Sequence, residues 1–284
     1  MMRFAVAALL LVLSACAKPE PARPAMWEVT GPKGEQGWLF GTIHMLPKQA
    51  DWRSPTVSRA LDRADVLVLE IAAIDDEAQM RAVFDSLARS KGLPPLSSRV
   101  SPALRPAFDR LITDNSIDLA QFAETETWAA ALMLAGFSNK EADPGNGIDR
   151  AIVEAMPHLP RVELEGTAAQ LSIFDRLAEA DQRVMLDATV QESPGEATAD
   201  QLAAAWRKGD TDFITRETST GMMADPEVRK ALFTDRNAAW EAKLEAMLRS
   251  GKRPFVAVGA AHLAGPEGLP AMLAARGWKV ARVQ

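Results

Sequence analysis

Val66-Leu67-Val68-Leu69-Glu70-Ile71 is an apolar run broken by a single carboxylate. A strand with one face in water alternates apolar and polar residues. A run without alternation needs cover on both faces, as the central strands of α/β sheets have. Working outward from this run, residues 26–30 alternate, and residues 37–43 follow after Gly31-Pro32-Lys33-Gly34, so the spacing predicts a hairpin. Residues 54–63 predict a helix. From 75 to 248 the pattern is largely helical. There Ser101-Pro102 offers a cap and a proline suited to a first turn, residues 119–134 are rich in alanine and leucine, and 198–207 and 226–249 are patterned alike. One strand over 161–165 interrupts this region. Strand character returns at 254–259, followed by a helix over 266–276 and a last strand over 278–283. The expected fold is α/β (α+β), with β-rich N- and C-terminal ends forming a mixed sheet around a large helical middle region. No long linker divides residues 26–284, which are read as a single domain.

The first residues read as an export signal. Arg3 gives a positive start, Phe4 to Leu13 is uncharged and apolar, and Ser14 and Ala15 are small. That run is shorter than the roughly 20 residues a membrane span needs. Leu13-Ser14-Ala15-Cys16 resembles the lipobox cut by lipoprotein signal peptidase, which implies a signal peptide over 1–15 and lipid on Cys16. Cys16 is the chain's one cysteine, so no internal disulfide can form. Residues 16–25, with Pro19, Pro21 and Pro24, are expected to be an extended tether. Ala17 resembles the sorting pattern of outer-membrane lipoproteins, implying a cell-envelope protein at the outer membrane facing the periplasm. Ordinary secretion with a chance cysteine is the alternative.

The chain carries 32 Lys and Arg against 38 Asp and Glu, a net charge of −6, and about −7 once Arg3 is removed. That balance argues against a general nucleic-acid binder. The stretch 249–284 is locally basic through Arg249, Lys252, Arg253, Arg276, Lys279 and Arg282. It is either a solvated face or a site for an acidic partner. The seven tryptophans are spread from Trp27 to Trp278 and suit core packing better than a carbohydrate platform.

Two of the three histidines share a setting. Leu39-Phe40-Gly41-Thr42-Ile43-His44 and Val256-Ala257-Val258-Gly259-Ala260-Ala261-His262 each run from an apolar strand through glycine to histidine. Glycine permits a turn or a close approach, and strand ends are where α/β sheets place ligands. Glu70 ends the central run and Glu165 ends Val162-Glu163-Leu164-Glu165. Each is a solvated strand end or a carboxylate that needs a partner, a metal or water. Two histidines and two carboxylates make a mixed donor set suited to Zn²⁺, Mn²⁺ or a similar divalent ion. His158, bracketed by prolines, reads as a surface residue.

The motifs Gly41-Thr42-Ile43-His44, Val66 to Glu70 and Val258-Gly259-Ala260-Ala261-His262-Leu263-Ala264-Gly265-Pro266-Glu267-Gly268-Leu269 resemble the TraB/GumN family. So do Gly147-Ile148-Asp149, Leu164-Glu165-Gly166 and Leu232 to Asn237 with Trp240. That family is similar to the Tiki metalloproteases and, more distantly, to the ChaN and erythromycin-esterase proteins. The resemblance implies His44 and His262 as metal ligands, Glu70 as a ligand or general base, and Glu165 as a second acid. Arg236 would bind a substrate carboxylate or a developing oxyanion, or else form a structural salt bridge. Asp149 would orient a histidine or cap a helix. The implied cofactor is a divalent metal (Mn, Co or Zn), and the implied activity is hydrolysis of a peptide or protein substrate. The alternatives are a non-catalytic lipoprotein that binds a peptide or haem in the same cleft, and an envelope scaffold. Oligomeric state is left open.

Overall fold

The computed structural model describes residues 19–138, 142–191 and 198–284. The expected signal peptide and Cys16 lie outside the described residues. Eight strands follow in chain order: β1 (Glu20–Pro21), β2 (Met26–Thr30), β3 (Gln36–Thr42), β4 (Ala50–Asp51), β5 (Val66–Leu69), β6 (Arg161–Glu163), β7 (Pro254–Gly259) and β8 (Lys279–Arg282). Six of them form one mixed sheet in the order β6-β5-β7-β3-β2-β8. The neighbours β6, β5, β7 and β3 run parallel, and β2 pairs antiparallel with both β3 and β8. The expected α/β class with a mixed sheet and a helical middle is what the chain forms.

The run that predicted two-sided burial shows how the layers are built. Leu67 and Leu69 join Phe40, Phe255 and Ala257 on one face, under the helices Pro55–Arg63, Ile148–Ala155 and Ala199–Lys208. Val66 and Val68 join Leu39, Val256 and Val258 on the other, under Asp235–Arg249 and Leu269–Ala275. All four β5 side chains are buried, and each contributes roughly 1.5–3 kcal/mol of transfer free energy. The helical middle has a core of its own, built around Phe108, Phe122, Leu134, Leu186 and Leu232.

Three details depart from expectation. The described part of the expected tether is laid against the domain. β1 pairs in parallel with β4, Glu20 meets Arg207 at 2.9 Å and Lys48 at 3.3 Å, and Ala22 and Ala25 are buried. The prolines there bring no N–H to satisfy, and the small alanines fit against the core. The expected helix over 226–249 is divided by a π turn at Lys230–Thr234. Ser101 caps without a side-chain bond, its hydroxyl going to Asp187 instead.

The basic C-terminal stretch is partly paired on its own surface, Arg276 with Glu241, Arg249 with Glu245 and Arg253 with Asp65. Six tryptophans are buried and Trp27 packs partly against the core, while His158 is exposed. Among the described residues no helix is long and apolar enough to cross a membrane.

Candidate active site

The parallel strands β5, β7 and β3 are adjacent, so their carboxyl ends open on one edge of the sheet. Glu70 follows β5, Gly259 closes β7 and His262 stands on the short helix after it, while His44 lies two residues beyond β3. Residues nearly 200 positions apart therefore meet. Gly259 marks the meeting point, because a Cβ built there would lie 3.3 Å from Glu70 Oε1, 3.8 Å from the His262 ring and 3.9 Å from His44 Nε2. The glycine keeps that point open, and its own N–H donates to Glu70 Oε1 at 2.8 Å.

The two histidines differ in setting. His44 is exposed, its side chain 59% accessible, and its Nδ1 meets Asp149 at 2.8 Å. Asp149 is buried in the first turn of Ile148–Ala155 and also accepts from the Thr42 hydroxyl at 2.6 Å. It is therefore inside the helix rather than its cap, and it orients His44 with Nε2 on the Gly259 side. The negative charge of Asp149 holds the His44 imidazole above the usual histidine range. Gly147 makes this arrangement possible, since a Cβ there would collide with the His44 backbone carbonyl.

His262 is buried between Phe233 and Trp240, with ring centroids at 5.5 and 4.4 Å. Its tautomer follows from its neighbours. Asn237 uses its amide N–H groups on the carbonyls of His262 and Glu267, which leaves Oδ1 to accept from His262 Nδ1 at 2.7 Å. Nε2 then carries the lone pair and faces Arg236 Nη1 at 3.1 Å. Burial and the nearby guanidinium push His262 down to about 3, so it is neutral at pH 7.

Arg236 occupies the centre of the site. Its Nε and Nη2 fork onto Glu165 at 2.9 and 3.0 Å, and Nη2 also reaches Glu70 at 2.8 Å. Nη1 donates to the Leu232 carbonyl in the π turn and to His262. All five donors are thus engaged, and the plane lies over Trp240 at 4.7 Å. Burial works against the charge on Glu70, but His44, Arg236 and the Gly259 amide help outweigh it and hold its carboxyl well below the usual range. Glu165 also accepts from Trp240 Nε1 at 3.0 Å. It sits behind Arg236 as its fixed counter-ion.

In front of this cluster is a cleft of about 280 Å³, lined on its polar side by His44, Glu70, Asp149, Arg150 and Gln170. The pattern matches a known family over residues 25–282, a span that holds all six strands of the sheet and both Gly-x-x-His motifs. The chain belongs to the TraB/PrgY/gumN family. It is similar to the uncharacterized protein YbaP of Shigella flexneri, 25% identical over 253 residues that cover 87% of this chain and 90% of the relative. YbaP of Escherichia coli (strain K12) matches to the same extent. No solved structure matches the chain.

Within this TraB/PrgY/gumN site, the sequence-predicted residues His44, Glu70, His262, Glu165 and Arg236 come together. Sequence reasoning missed Thr42 and Gln170, which hold Asp149 and Glu70 respectively. It also gave no role to Asn237, although this residue sits beside Arg236 in the Leu232 to Asn237 motif. Among the described residues, no group of three or more His, Cys, Asp or Glu side chains stands ready to hold a metal ion. His262 Nε2 is engaged by Arg236 instead.

Proposed function

We propose that this protein is a membrane-tethered, metal-dependent hydrolase of the cell envelope, most simply a peptidase, with lipid on Cys16 as its anchor. One observation carries the reading: His44, Glu70 and His262 converge on a single point beside Gly259, and His44 and Glu70 also line a cleft. The donor types suit Mn, Co or Zn, two imidazoles and a carboxylate being a common mixed set. His44 also has the carboxylate behind its Nδ1 that orients metal-binding imidazoles. His44, Glu70 and His262 would hold the ion, and Arg236 would have to release His262 Nε2 first. Such an ion lowers the pKa of a bound water and polarises a carbonyl.

The chain's own residues supply the rest. Asp149 and Thr42 fix the His44 ring, while Asn237 fixes the tautomer of His262. Where the histidines alone hold the ion, Glu70, held ionised, would instead be the carboxylate that accepts a proton. Arg236 stays charged whatever the pH and steadies negative charge that develops beside Glu70.

The test is peptide cleavage by purified protein with Mn²⁺, Co²⁺ or Zn²⁺ supplied. Activity should require the metal and vanish in His44→Ala. Undiminished cleavage after complete metal removal would overturn the reading. Incorporation of labelled palmitate, lost in Cys16→Ala, checks the anchor. A second reading has its own support, because Glu70 and Glu165 are both tied to Arg236 by ion pairs, which ill suits either as a base. On that reading the cleft binds a peptide without turnover. Its volume of about 280 Å³, just below the ~300–1,000 Å³ of ligand sites, suits a side chain better than haem.

A further inference from the structure

The cleft has a second half that the proposed chemistry does not use. Met45, Leu69, Ile71, Ile74 and Met80 line the same cleft as the polar groups. All but Leu69 are only partly buried, so apolar surface is held open beside His44 and Glu70. Met80 comes from the helix Glu77–Leu87, which buries none of its residues fully although Met80, Val83, Phe84 and Leu87 share one face at helical spacing. That helix keeps an apolar face toward the domain and leaves Met80 as a cleft wall.

The charges nearby select further. Each carboxylate lining the cleft already has a counter-charge, Asp149 from His44 and Glu70 from Arg236. The lining cation Arg150 is held by Glu77 at 3.3 Å. A basic side chain entering the cleft would have to compete with Arg236 and His44 for carboxylates that are already paired, and a small polar one would leave the apolar wall against water. Methionine is unbranched and flexible, so two methionine walls adapt to differently shaped apolar groups.

We infer that this half of the cleft is a specificity subsite for one large apolar side chain, such as Leu, Met or Phe, of a peptide whose neighbouring amide lies against His44 and Glu70. The inference rests on the hydrolase reading only for the cleavage step, and peptide binding stands without it. Loss of a single methylene in such a pocket changes discrimination by about 10–200-fold, so an apolar central residue should gain at least about tenfold over Ser, Asp or Lys.

The experiment uses one series of short blocked peptides that differ only at the central residue: Leu, Met, Phe, Ser, Asp or Lys. Binding is read by fluorescence anisotropy and cleavage is read separately with Mn²⁺ present. Leu, Met and Phe peptides should bind at least about tenfold more tightly than the others. Met80→Glu should reverse the order and improve binding of the Lys peptide, a gain that a misfolded protein cannot produce. Ile74→Glu serves as an independent second variant. Equal affinities across the series, or an unchanged order in both variants, overturn the subsite. Apolar preference without cleavage upholds the subsite and overturns the hydrolase. Cleavage without preference does the reverse, and neither binding nor cleavage overturns both.

Discussion

Nη1 of Arg236 stands 3.1 Å from Nε2 of His262, and the same guanidinium forks onto Glu165 and reaches Glu70. One buried cation thus holds a lone pair and two carboxylates in place. Removing one partner of a buried ion network leaves uncompensated charge, which costs about 3–5 kcal/mol.

Arg236→Met should therefore lower stability by about that amount, read from the urea midpoint. Arg236→Lys should recover little, since an ammonium lacks the fork that Glu165 accepts. Pairing Arg236→Met with Glu165→Gln should restore part of the loss. Full stability in Arg236→Met alone would show that the carboxylates are not buried around this cation.

The two histidines should separate in their effects on folding. His44→Ala removes an exposed side chain and should change stability by less than about 0.5 kcal/mol beyond the Asp149 contact. His262→Ala empties a buried site between Phe233 and Trp240 and orphans Asn237, costing about 2 kcal/mol or more. Thermal unfolding of both variants in an Asp149→Asn background, where that contact is absent, checks this. Equal losses would contradict the difference in burial.

The His44–Asp149 pair gives a pH signature in metal-free protein. His44 is raised from 6.5 to about 9, so it binds a proton more readily folded than unfolded. The stabilisation it contributes is complete below about 6.5 and is lost as pH rises through about 9. The melting-temperature advantage of the wild type over Asp149→Asn should shrink across that window. An advantage that grows with pH would reverse the sign and exclude the pairing.

Gly147→Ala tests the loop that carries His44. The added methyl meets the His44 carbonyl, so the loop must shift. A displacement near 1 Å costs about 10²-fold in a positioned reaction. The expected loss is in kcat/KM for peptide cleavage, with a smaller fall in melting temperature. Unchanged kinetics would place His44 outside the chemistry.

Much of the fold was legible in the sequence where one strong local signal was enough. The apolar run 66–71 foretold a doubly covered strand, and β2 and β7 occupy the residues read for them. The paired Gly-x-x-His motifs and Glu70 pointed to residues that the fold brings close together. What stayed hidden depends on tertiary neighbours. Asp149 looked more like a helix cap than a residue orienting histidine, because its partners, His44 and Thr42, are more than a hundred residues away in sequence. Arg236 could be read as an anion binder or as half of a structural salt bridge, and only the fold shows it paired with Glu165 and Glu70. The π turn at Lys230–Thr234 has no simple residue signature, yet its Leu232 carbonyl is one of the acceptors around Arg236.

The docking of Glu20–Pro21 against β4 shortens a leash. A free stretch over 16–25 would let the domain roam about 30 Å from a lipid on Cys16, at roughly 3.3–3.6 Å per extended residue. With β1 fixed, only Ala17, Lys18 and Pro19 separate Cys16 from the fold, a reach on the order of 15 Å. The chain also enters β2 at Met26, opposite Phe40 near the His44 end of β3. A lipidated protein would then work within a thin shell above the bilayer, favouring peptide segments that protrude from the membrane over those diffusing far from it.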